Sequence, residues 1–245
     1  MRPNSLGETK RHCAWRCPTG LELELFRIDN RGVYLAQALE ELPWLVHGFG
    51  TRSSSEWPPG DAEAATLRQT HSDKVLLAER SGCLGEGDAL IANRRGITLG
   101  IRTADCLPIL IADPTNRAIA AIHAGWRGTL LGIVPKTVTA MQERFGSRPE
   151  DLVVVVGPGI ASCCFEVGPE VAGQFSPFFP ERKDLSGRAK IDLVETISRQ
   201  LGRNGGAGRQ FAASGLCTVC RGDLFHSYRR DRAEAGRMMS AIGIR

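Results

Sequence analysis

Residues 97–128 read ITLGIRTADCLPILIADPTNRAIAAIHAGWRG, and this stretch decides the fold class. It contains three short apolar runs, which are ITLGIRTA, LPILIA and AIAAIHA, and the turn sequence DPTN separates the last two. Apolar runs of this length, bounded by turn residues, are typical of buried β-strands. The stretch therefore predicts the centre of a sheet.

Further strands and two helices are predicted on either side of this stretch. The runs KVLLA and ALIA precede it, and DLVVVVGPGI follows it. The segment TLLGIVPKTVTAMQERFG has apolar residues at helical spacing and stops at Gly146, with Pro135 either in its first turn or at a kink. A second amphipathic helix is predicted in IDLVETISRQLGRNG. We expect an α/β fold of layered mixed β-sheets flanked by helices.

The ends of the chain suggest a single domain behind a short tail. Residues 1–20 are polar and irregular, whereas LELELFRI, from Leu21, alternates apolar and polar residues as an edge strand does. The segment TRSSSEWPPGD marks a long loop. Because there is no internal repeat and no linker that could separate domains, we predict an N-terminal tail at 1–20 and one catalytic domain at 21–245.

The composition excludes several classes of protein. The chain has 245 residues, 42% of them hydrophobic and 24% charged, as in an ordinary globular protein. The net charge of +4 comes from basic residues spread along the chain, so nucleic acid is not an expected partner. No apolar window is long enough for a membrane span or a secretory signal. We therefore expect a cytoplasmic protein, and a monomer, whose eight cysteines are reduced thiols.

Three residues near predicted strand ends form a candidate metal site. They are His71 in RQTHSDKV, Cys106 in RTADCLPILIA and His123 in AIHAGWRG. A lone histidine at the end of an apolar strand is more often a packed core residue, but two imidazoles and one thiolate can hold a catalytic zinc with a fourth position open. The long separations favour ligands that folding brings together.

A second thiol motif, CTVC at Cys217 and Cys220, has the spacing of half a structural zinc site. No partner pair with the same spacing occurs in the sequence. We interpret these cysteines as two packed thiols, with a redox pair as the alternative.

Seven segments of this sequence resemble the YfiH family, also called the laccase-domain or multicopper polyphenol oxidase-like family. They run in the family's order over about four fifths of the chain, and the combination of TADC with HAGWRG is specific. The segments are HGFGTR, RQTHSDKV, GDALIAN, LGIRTADCLPILI, AAIHAGWRGTLLGIV, VGPGIASCCFEVGPEV and CTVCRGDLFHSYRRD.

The resemblance implies a site, a chemistry and a fold. It implies a metal, usually zinc, on His71, Cys106 and His123, and a fold related to cysteine-hydrolase-like proteins. It also implies phosphorolysis of adenosine, inosine and methylthioadenosine, together with deamination of adenosine. The expected partners are thus a purine nucleoside and phosphate.

Phosphorolysis needs cationic groups for its anionic nucleophile, and guanidinium suits phosphate geometry. The candidates are Arg52 of HGFGTR, Arg127 of HAGWRG, and Arg229 or Arg230 of SYRRD, of which we expect at least one to bind phosphate. Ion-paired or surface arginine is the alternative. Asp105 precedes a candidate ligand, so it supports the site or caps a strand end.

The segment GPGIASCCFEVG follows a predicted strand and a turn, in a place where loops carry function. Cys163 is a candidate substrate contact, as is Glu166, which could serve as an acid or base. Packing as small apolar residues is the alternative for Cys163 and Cys164.

Two other enzymatic functions remain open at this stage. A copper-dependent polyphenol oxidase would need several coppers and many histidines, whereas the chain has five, although one copper could occupy the same three ligands. A hydrolase in peptidoglycan precursor editing would use the metal or the Cys106 thiolate.

Overall fold

The computed structural model describes residues 25–54, 57–58, 64–203 and 209–245. Within them lie two large sheets and one two-stranded sheet. The strands are β1 (Phe26–Ile28), β2 (Tyr34–Ala36), β3 (Leu45–Phe49), β4 (Ala65–Arg68), β5 (Val75–Leu77), β6 (Gly82–Glu86), β7 (Ala89–Ala92), β8 (Thr98–Thr103), β9 (Leu107–Asp113), β10 (Ala118–Ala124), β11 (Val153–Val156), β12 (Glu166–Val167), β13 (Ala189–Lys190), β14 (Gln210–Ala213) and β15 (Met238–Ile244). The α-helices are α1 (Gln37–Glu40), α2 (Trp126–Leu130), α3 (Ile133–Phe145), α4 (Pro169–Ala172), α5 (Leu193–Arg203) and α6 (Tyr228–Asp231).

The six-stranded sheet has the order β14-β11-β9-β10-β7-β5. Its central strands β9 and β10 are buried at every position, because both faces of the sheet are covered. One face packs against the helices, with Ile109 and Ile111 in the same cluster as Val138 of α3 and Ile197 of α5. This double burial explains the unbroken apolar runs in the sequence.

The seven-stranded sheet has the order β1-β2-β3-β15-β8-β4-β6. It covers the other face of the six-stranded sheet, since Leu110 and Ala121 share a cluster with Leu99 of β8 and Ile242 of β15. The arrangement is therefore helices on a sheet on a second sheet. The predicted class, α/β with layered mixed sheets and flanking helices, is confirmed. The run ITLGIRTA, which was predicted to belong to the same sheet core as LPILIA, lies instead in the seven-stranded sheet.

Strand β15 was missing from the predicted elements, which ended in a basic tail. The structure places it at the middle of the seven-stranded sheet, paired antiparallel with β3 on one side and β8 on the other. All seven of its residues are buried. The sequence before it is rich in arginine, so the short apolar run MMSAIGI was not recognised as a central strand.

The two predicted helices are present with adjusted bounds. The first is divided, because Gly132 adopts a left-handed conformation with φ of 77° between α2 and α3. Pro135 then lies in the first turn of α3, where its missing N–H costs nothing, and Gly146 ends the helix in a left-handed conformation. In α5 the Oδ1 of Asp192 accepts a hydrogen bond from the backbone N–H of Glu195 and so satisfies the helix start.

Strand β1 is an edge strand with exposed residues, as predicted, over Phe26–Ile28. The predicted tail at 1–20 and the first residues of the predicted strand lie outside the described residues. The boundary between tail and domain thus stays a prediction. In the part of the chain that the structure covers, no helix is both long and apolar enough to cross a membrane.

Candidate metal centre

The pairing of three adjacent strands brings the candidate ligands together. In the β10–β9 register His123 lies opposite Pro108, so that Cys106, just before β9, is at the same end of the sheet. On the other side, Ile122 pairs with Ala89 of β7, and the backbone N–H of His123 donates to the carbonyl of Asp88 at 2.7 Å. His71 comes from the loop after β4. Residues that are far apart in the sequence therefore meet at one end of these strands.

The geometry of the three side chains fits one tetrahedral metal ion. Ligand atoms of His71, Cys106 and His123 lie within 4.8 Å of one another. The His71 Nε2 is 3.7 Å from the Cys106 Sγ, and zinc with ordinary bond lengths would hold such atoms about 3.5 Å apart. A Cβ at Gly125 would lie 2.9 Å from both the Cys106 Sγ and the His71 Cδ2. Glycine at this position leaves the ligands room to converge.

The carboxylate of Asp88, which is fully buried, organises two of the ligands. Its Oδ1 is 2.7 Å from the His123 Nδ1 and accepts the backbone N–H of His71 at 3.0 Å. Its Oδ2 accepts both the backbone N–H and the hydroxyl of Ser72 at 2.6 Å. Because Nδ1 of His123 is engaged, Nε2 is the nitrogen left for a metal, as in carboxylate–histidine–zinc triads.

The same contacts explain the backbone of His71, whose φ is +61°. This left-handed conformation is unfavourable for a residue with a Cβ. The hydrogen bonds from the 70–72 loop to Asp88 hold it in place. The loop is thereby shaped around the carboxylate, and the imidazole of His71 is presented to the other ligands.

The electrostatics favour a thiolate beside the histidines. Burial raises the pKa of Cys106, but its interactions with His123 and His71 outweigh burial and lower the pKa from 9.0 to about 7. Burial lowers the pKa of His123, yet Asp88 and Cys106 together raise it to about 9. Burial likewise opposes ionisation of Asp88, but hydrogen bonds from His123 and Ser72 hold its pKa well below the ordinary value. A divalent cation bound at Nε2 of His123 would replace the proton there and would supply the positive charge beside the Cys106 thiolate.

The three residues open into a cavity of about 730 Å³ whose walls are rich in arginine. His123 is buried, whereas His71 is exposed toward this space. Among the described residues that line the wall, Asp105 is the only acidic one, and its carboxylate is hydrogen-bonded to Thr218 and Arg229. The wall includes Arg102, Arg127, Arg229, Arg232 and Arg237, together with Gln69, Trp126, Phe165 and Tyr228.

Comparison with known proteins agrees with this architecture. Residues 52–245 match a family model described as "Multi-copper polyphenol oxidoreductase laccase". The chain belongs to this laccase-domain family.

Relatives of the laccase-domain chain include proteins with assigned names. A purine nucleoside phosphorylase of Clostridium acetobutylicum is 36% identical, over 89% of this chain and 93% of its own length. The purine nucleoside phosphorylase YlmD of Bacillus subtilis is 35% identical, over 92% of this chain and 85% of its own.

Two solved structures have the same fold. YlmD from Geobacillus stearothermophilus superimposes with a TM-score of 0.81 at 26% identity, covering 90% of this chain and 99% of its own. The YfiH protein of Bacillus licheniformis gives a TM-score of 0.80 at 28% identity, with the same coverage. The family expected from the sequence motifs is confirmed.

In this laccase-domain chain the Asp105 carboxylate is held by contacts outside the candidate ligand set. Its Oδ1 accepts the hydroxyl of Thr218 at 2.7 Å, and its Oδ2 accepts the backbone N–H of Arg229 at 2.6 Å. Its own φ is +86°, so these bonds and one from Ile160 N–H to its carbonyl fix a strained turn. The turn sets the position of Cys106.

Two of the candidate arginines line the cavity. The guanidinium of Arg127 lies 4.4 Å from the centre of the Trp126 ring. That of Arg229 lies 5.6 Å from the Phe165 ring, and its Nη1 donates to the carbonyl of Glu166 at 3.0 Å. Both guanidinium groups therefore stand beside aromatic faces at the cavity wall.

The other candidates lie away from the cavity wall. Arg52 donates from Nη1 to the carbonyl of Gly222, and Arg230 donates to the carbonyls of Thr218 and Phe225. The Glu166 carboxylate instead accepts a hydrogen bond from Arg188 at 3.0 Å. Each of these three side chains bonds to another part of the protein. Their contacts with substrate therefore remain predictions.

Cys163, the remaining candidate, lies in a second thiol cluster. The sulfurs of Cys163, Cys164, Cys217 and Cys220 lie within 4.8 Å of one another. The sequence indeed has no second pair with the CTVC spacing, but the fold supplies a partner of different spacing. The partner is the adjacent pair at 163–164, whose spacing does not match that of CTVC.

Sequence reasoning missed several site residues. Asp88 stands before β7 in the motif GDALIAN, and an acidic residue directly before a buried strand was the available signal. Gln69 pairs with the backbone of Arg102 through both amide atoms, at 2.7 and 2.8 Å, and so joins the His71 loop to β8. No pattern in the sequence marks that contact.

Proposed function

We propose that this chain is a metal-dependent purine nucleoside phosphorylase that acts on adenosine, inosine and methylthioadenosine and also deaminates adenosine. The observation that carries the proposal is the cavity in which a two-histidine, one-cysteine site faces a wall of arginines. The names of the relatives support the same activity.

Arginines provide the site for the anionic nucleophile. Phosphate carries negative charge and matches the planar fork of guanidinium, and several guanidinium groups in one cavity lower the cost of holding it there. Arg127 and Arg229 are the candidates nearest the aromatic side chains of the wall. We assign phosphate binding to them.

The nucleoside would lie against the aromatic residues. Trp126, Phe165 and Tyr228 line the same cavity, and aromatic faces stack on purine bases. In phosphorolysis a phosphate oxygen bonds to the ribose anomeric carbon while the bond to the purine nitrogen breaks. The arginines hold the phosphate on the face opposite the departing base.

The ligand set fits zinc, held by His71, Cys106 and His123, and would also accept copper. A bound ion of this kind supplies a Lewis acid. Asp88 keeps the His123 ring oriented, and Asp105 keeps the Cys106 turn in place. In the deamination, water adds to the purine carbon that bears the amino group, and ammonia leaves.

The test is an assay of zinc-loaded protein with adenosine and phosphate. Ribose 1-phosphate should form in an amount equal to adenine plus hypoxanthine, the latter from inosine made by deamination, and omission of phosphate should leave only conversion of adenosine to inosine. Cys106→Ser should lose most activity at trace zinc and recover part of it with added zinc, because the serine oxygen is a weaker ligand. Absence of turnover in fully loaded wild-type protein would refute the proposal.

The remaining expectations are part of the same proposal. The described cysteines are free thiols, which supports a cytoplasmic location. A monomer is also proposed, as is a kinship with cysteine-hydrolase-like folds, which the family resemblance implies. Rapid alkylation of Cys106 in metal-loaded protein would favour the hydrolase instead.

A further inference from the structure

A cluster of four cysteines lies outside the ligand set described above. Cys220 has its Sγ 3.6 Å from that of Cys163 and 3.5 Å from that of Cys164, and the latter two are 3.7 Å apart. Cys217, which is buried, completes the group. The four sulfurs come from two segments more than fifty residues apart in the chain.

These distances match one tetrahedral ion. Four sulfurs around a single zinc, each at the usual bond length, lie about 3.8 Å from one another. A disulfide would bring two of them to about 2 Å, which no measured pair approaches. Iron–sulfur clusters place several metal ions and sulfides between their cysteines and therefore need a wider arrangement.

The backbone around Cys217 is arranged to stabilise a thiolate. The Cys217 sulfur accepts hydrogen bonds from the backbone of Ala161, Val219 and Cys220. Two of these three residues belong to the CTVC turn itself, which curls around the sulfur. The third belongs to the loop that carries Cys163 and Cys164, so both segments already contribute to the site.

We propose that Cys163, Cys164, Cys217 and Cys220 hold one Zn²⁺ in a closed structural site, separate from the His71, Cys106 and His123 centre. Four thiolates on a tetrahedral ion leave no open position for water, so the site is not catalytic. An ion there would add a further link between two loops that already pair through backbone hydrogen bonds of Gly159 with Leu216 and Thr218.

Both loops are connected to the cavity. The CTVC turn supplies Thr218, whose hydroxyl donates to Asp105 beside the ligand Cys106. The Cys163–Cys164 loop runs into Phe165 and Glu166, which contact Arg229 at the cavity wall. Zinc at the four cysteines would position these walls without contacting the substrate.

The test uses metal content, which does not depend on enzymatic activity. Protein with His71→Ala and His123→Ala, purified under reducing conditions, should retain about one zinc per chain because only the four-cysteine site is intact. Adding Cys220→Ser should remove that zinc. Adding Cys83→Ser, which changes an exposed cysteine outside both sites, should not.

Cobalt provides a second measurement if a variant fails to fold. Co²⁺ in the wild-type chain should show the strong thiolate charge-transfer absorption of tetrahedral four-sulfur coordination, in addition to the signal of the histidine-containing centre. A folded double-histidine variant free of zinc would overturn the proposal. So would iron in place of zinc, or a mass showing the four cysteines paired as disulfides.

Discussion

Asp88 connects His71 and His123 through a single carboxylate. Unlike a carboxylate on the surface, it is fully buried and its partners are groups of the protein. The carboxylate accepts backbone N–H groups from the 70–72 loop and faces the Nδ1 of His123. Such outer partners tune the affinity of the ligands they orient. Asp88 is thus an outer partner of the candidate metal centre, although it is not one of the candidate ligands.

Asp88→Asn should weaken zinc affinity by about 10–100-fold, because the amide cannot accept all of these donors and can present its own N–H₂ to His123. Competition with a chromophoric chelator measures the change. Asp73→Asn, two residues from His71 but turned toward Lys136, is the control and should keep wild-type affinity. Equal affinities for all three proteins would show that Asp88 does not orient the ligand.

His123→Ala removes one of three protein ligands, so zinc affinity at that centre should fall by orders of magnitude while the protein stays folded. Elemental analysis after dialysis measures the loss, and circular dichroism checks the fold. His226→Ala changes a histidine outside the ligand cluster and serves as the control. Full activity and full metal occupancy at the centre in His123→Ala protein would show that the ligands are assigned wrongly.

At the scale of the elements, His47 of β3 links that strand to the start of α1. Its Nε2 accepts the backbone N–H of Ala36 at 2.9 Å, which only the neutral ring can do. Burial lowers its pKa from 6.5 to about 4. Between pH 4 and 6.5, His47 therefore binds a proton more readily in the unfolded chain than in the folded protein.

Stability should consequently fall as the pH drops from 6.5 to 4, by up to roughly 3 kcal/mol from this residue. Urea unfolding at several pH values measures the slope for wild-type protein and for His47→Gln. Glutamine retains an acceptor but does not titrate, so its slope should be shallower. Identical slopes would mean that His47 does not carry the effect.

Strand β15 makes a second prediction at this scale, through the fully buried Ile242. Ile242→Ala should lower the free energy of unfolding by about 2–5 kcal/mol, because it leaves a cavity between the two sheets. Ile28→Ala, in the edge strand β1 where the side chain is 47% exposed, should cost much less. Denaturant melts compare the two, and similar losses would contradict the central position of β15.

These elements also show what sequence patterns can and cannot predict. The strands β9 and β10 were evident because burial on both faces leaves no polar interruption. The division of α2 from α3 was not evident, because a single glycine such as Gly132 also fits within a continuous helical pattern. Strand β15 was not predicted because the arginines before it made the end of the chain look like a basic tail.

The site follows the same division. Residue type and strand ends, together with the laccase-domain motifs, were enough to propose the three candidate ligands that the structure brings within 4.8 Å of one another. The partner of CTVC could not be predicted, since Cys163 and Cys164 are adjacent in sequence and only folding shows that both sulfurs face Cys220. Asp88 lies within the motif GDALIAN, but its contact with His123 depends on the pairing register of β7 with β10, which the motif does not specify.

At the scale of the whole molecule, the arginine wall predicts how the cavity treats phosphate. Arg127→Ala should raise the KM for phosphate about tenfold or more, since a hydrogen bond to a charged group contributes about 1.5–3 kcal/mol. Steady-state kinetics with varied phosphate at saturating nucleoside measures this. Arg95→Ala, an exposed arginine in the turn before β8, should leave KM unchanged. An unaltered KM in Arg127→Ala would place the phosphate elsewhere.

The position of β15 also has a consequence for how the chain is made. The ribosome produces β3 and β8 early, but until residues 238–244 have been synthesised each has a sheet neighbour on one side only, β2 for β3 and β4 for β8. Until then two strand edges with unpaired backbone groups are exposed, and such edges invite association with other chains. A nascent chain stalled before residue 238 is therefore a natural client for a chaperone, and expression at lower temperature should increase the yield of native protein.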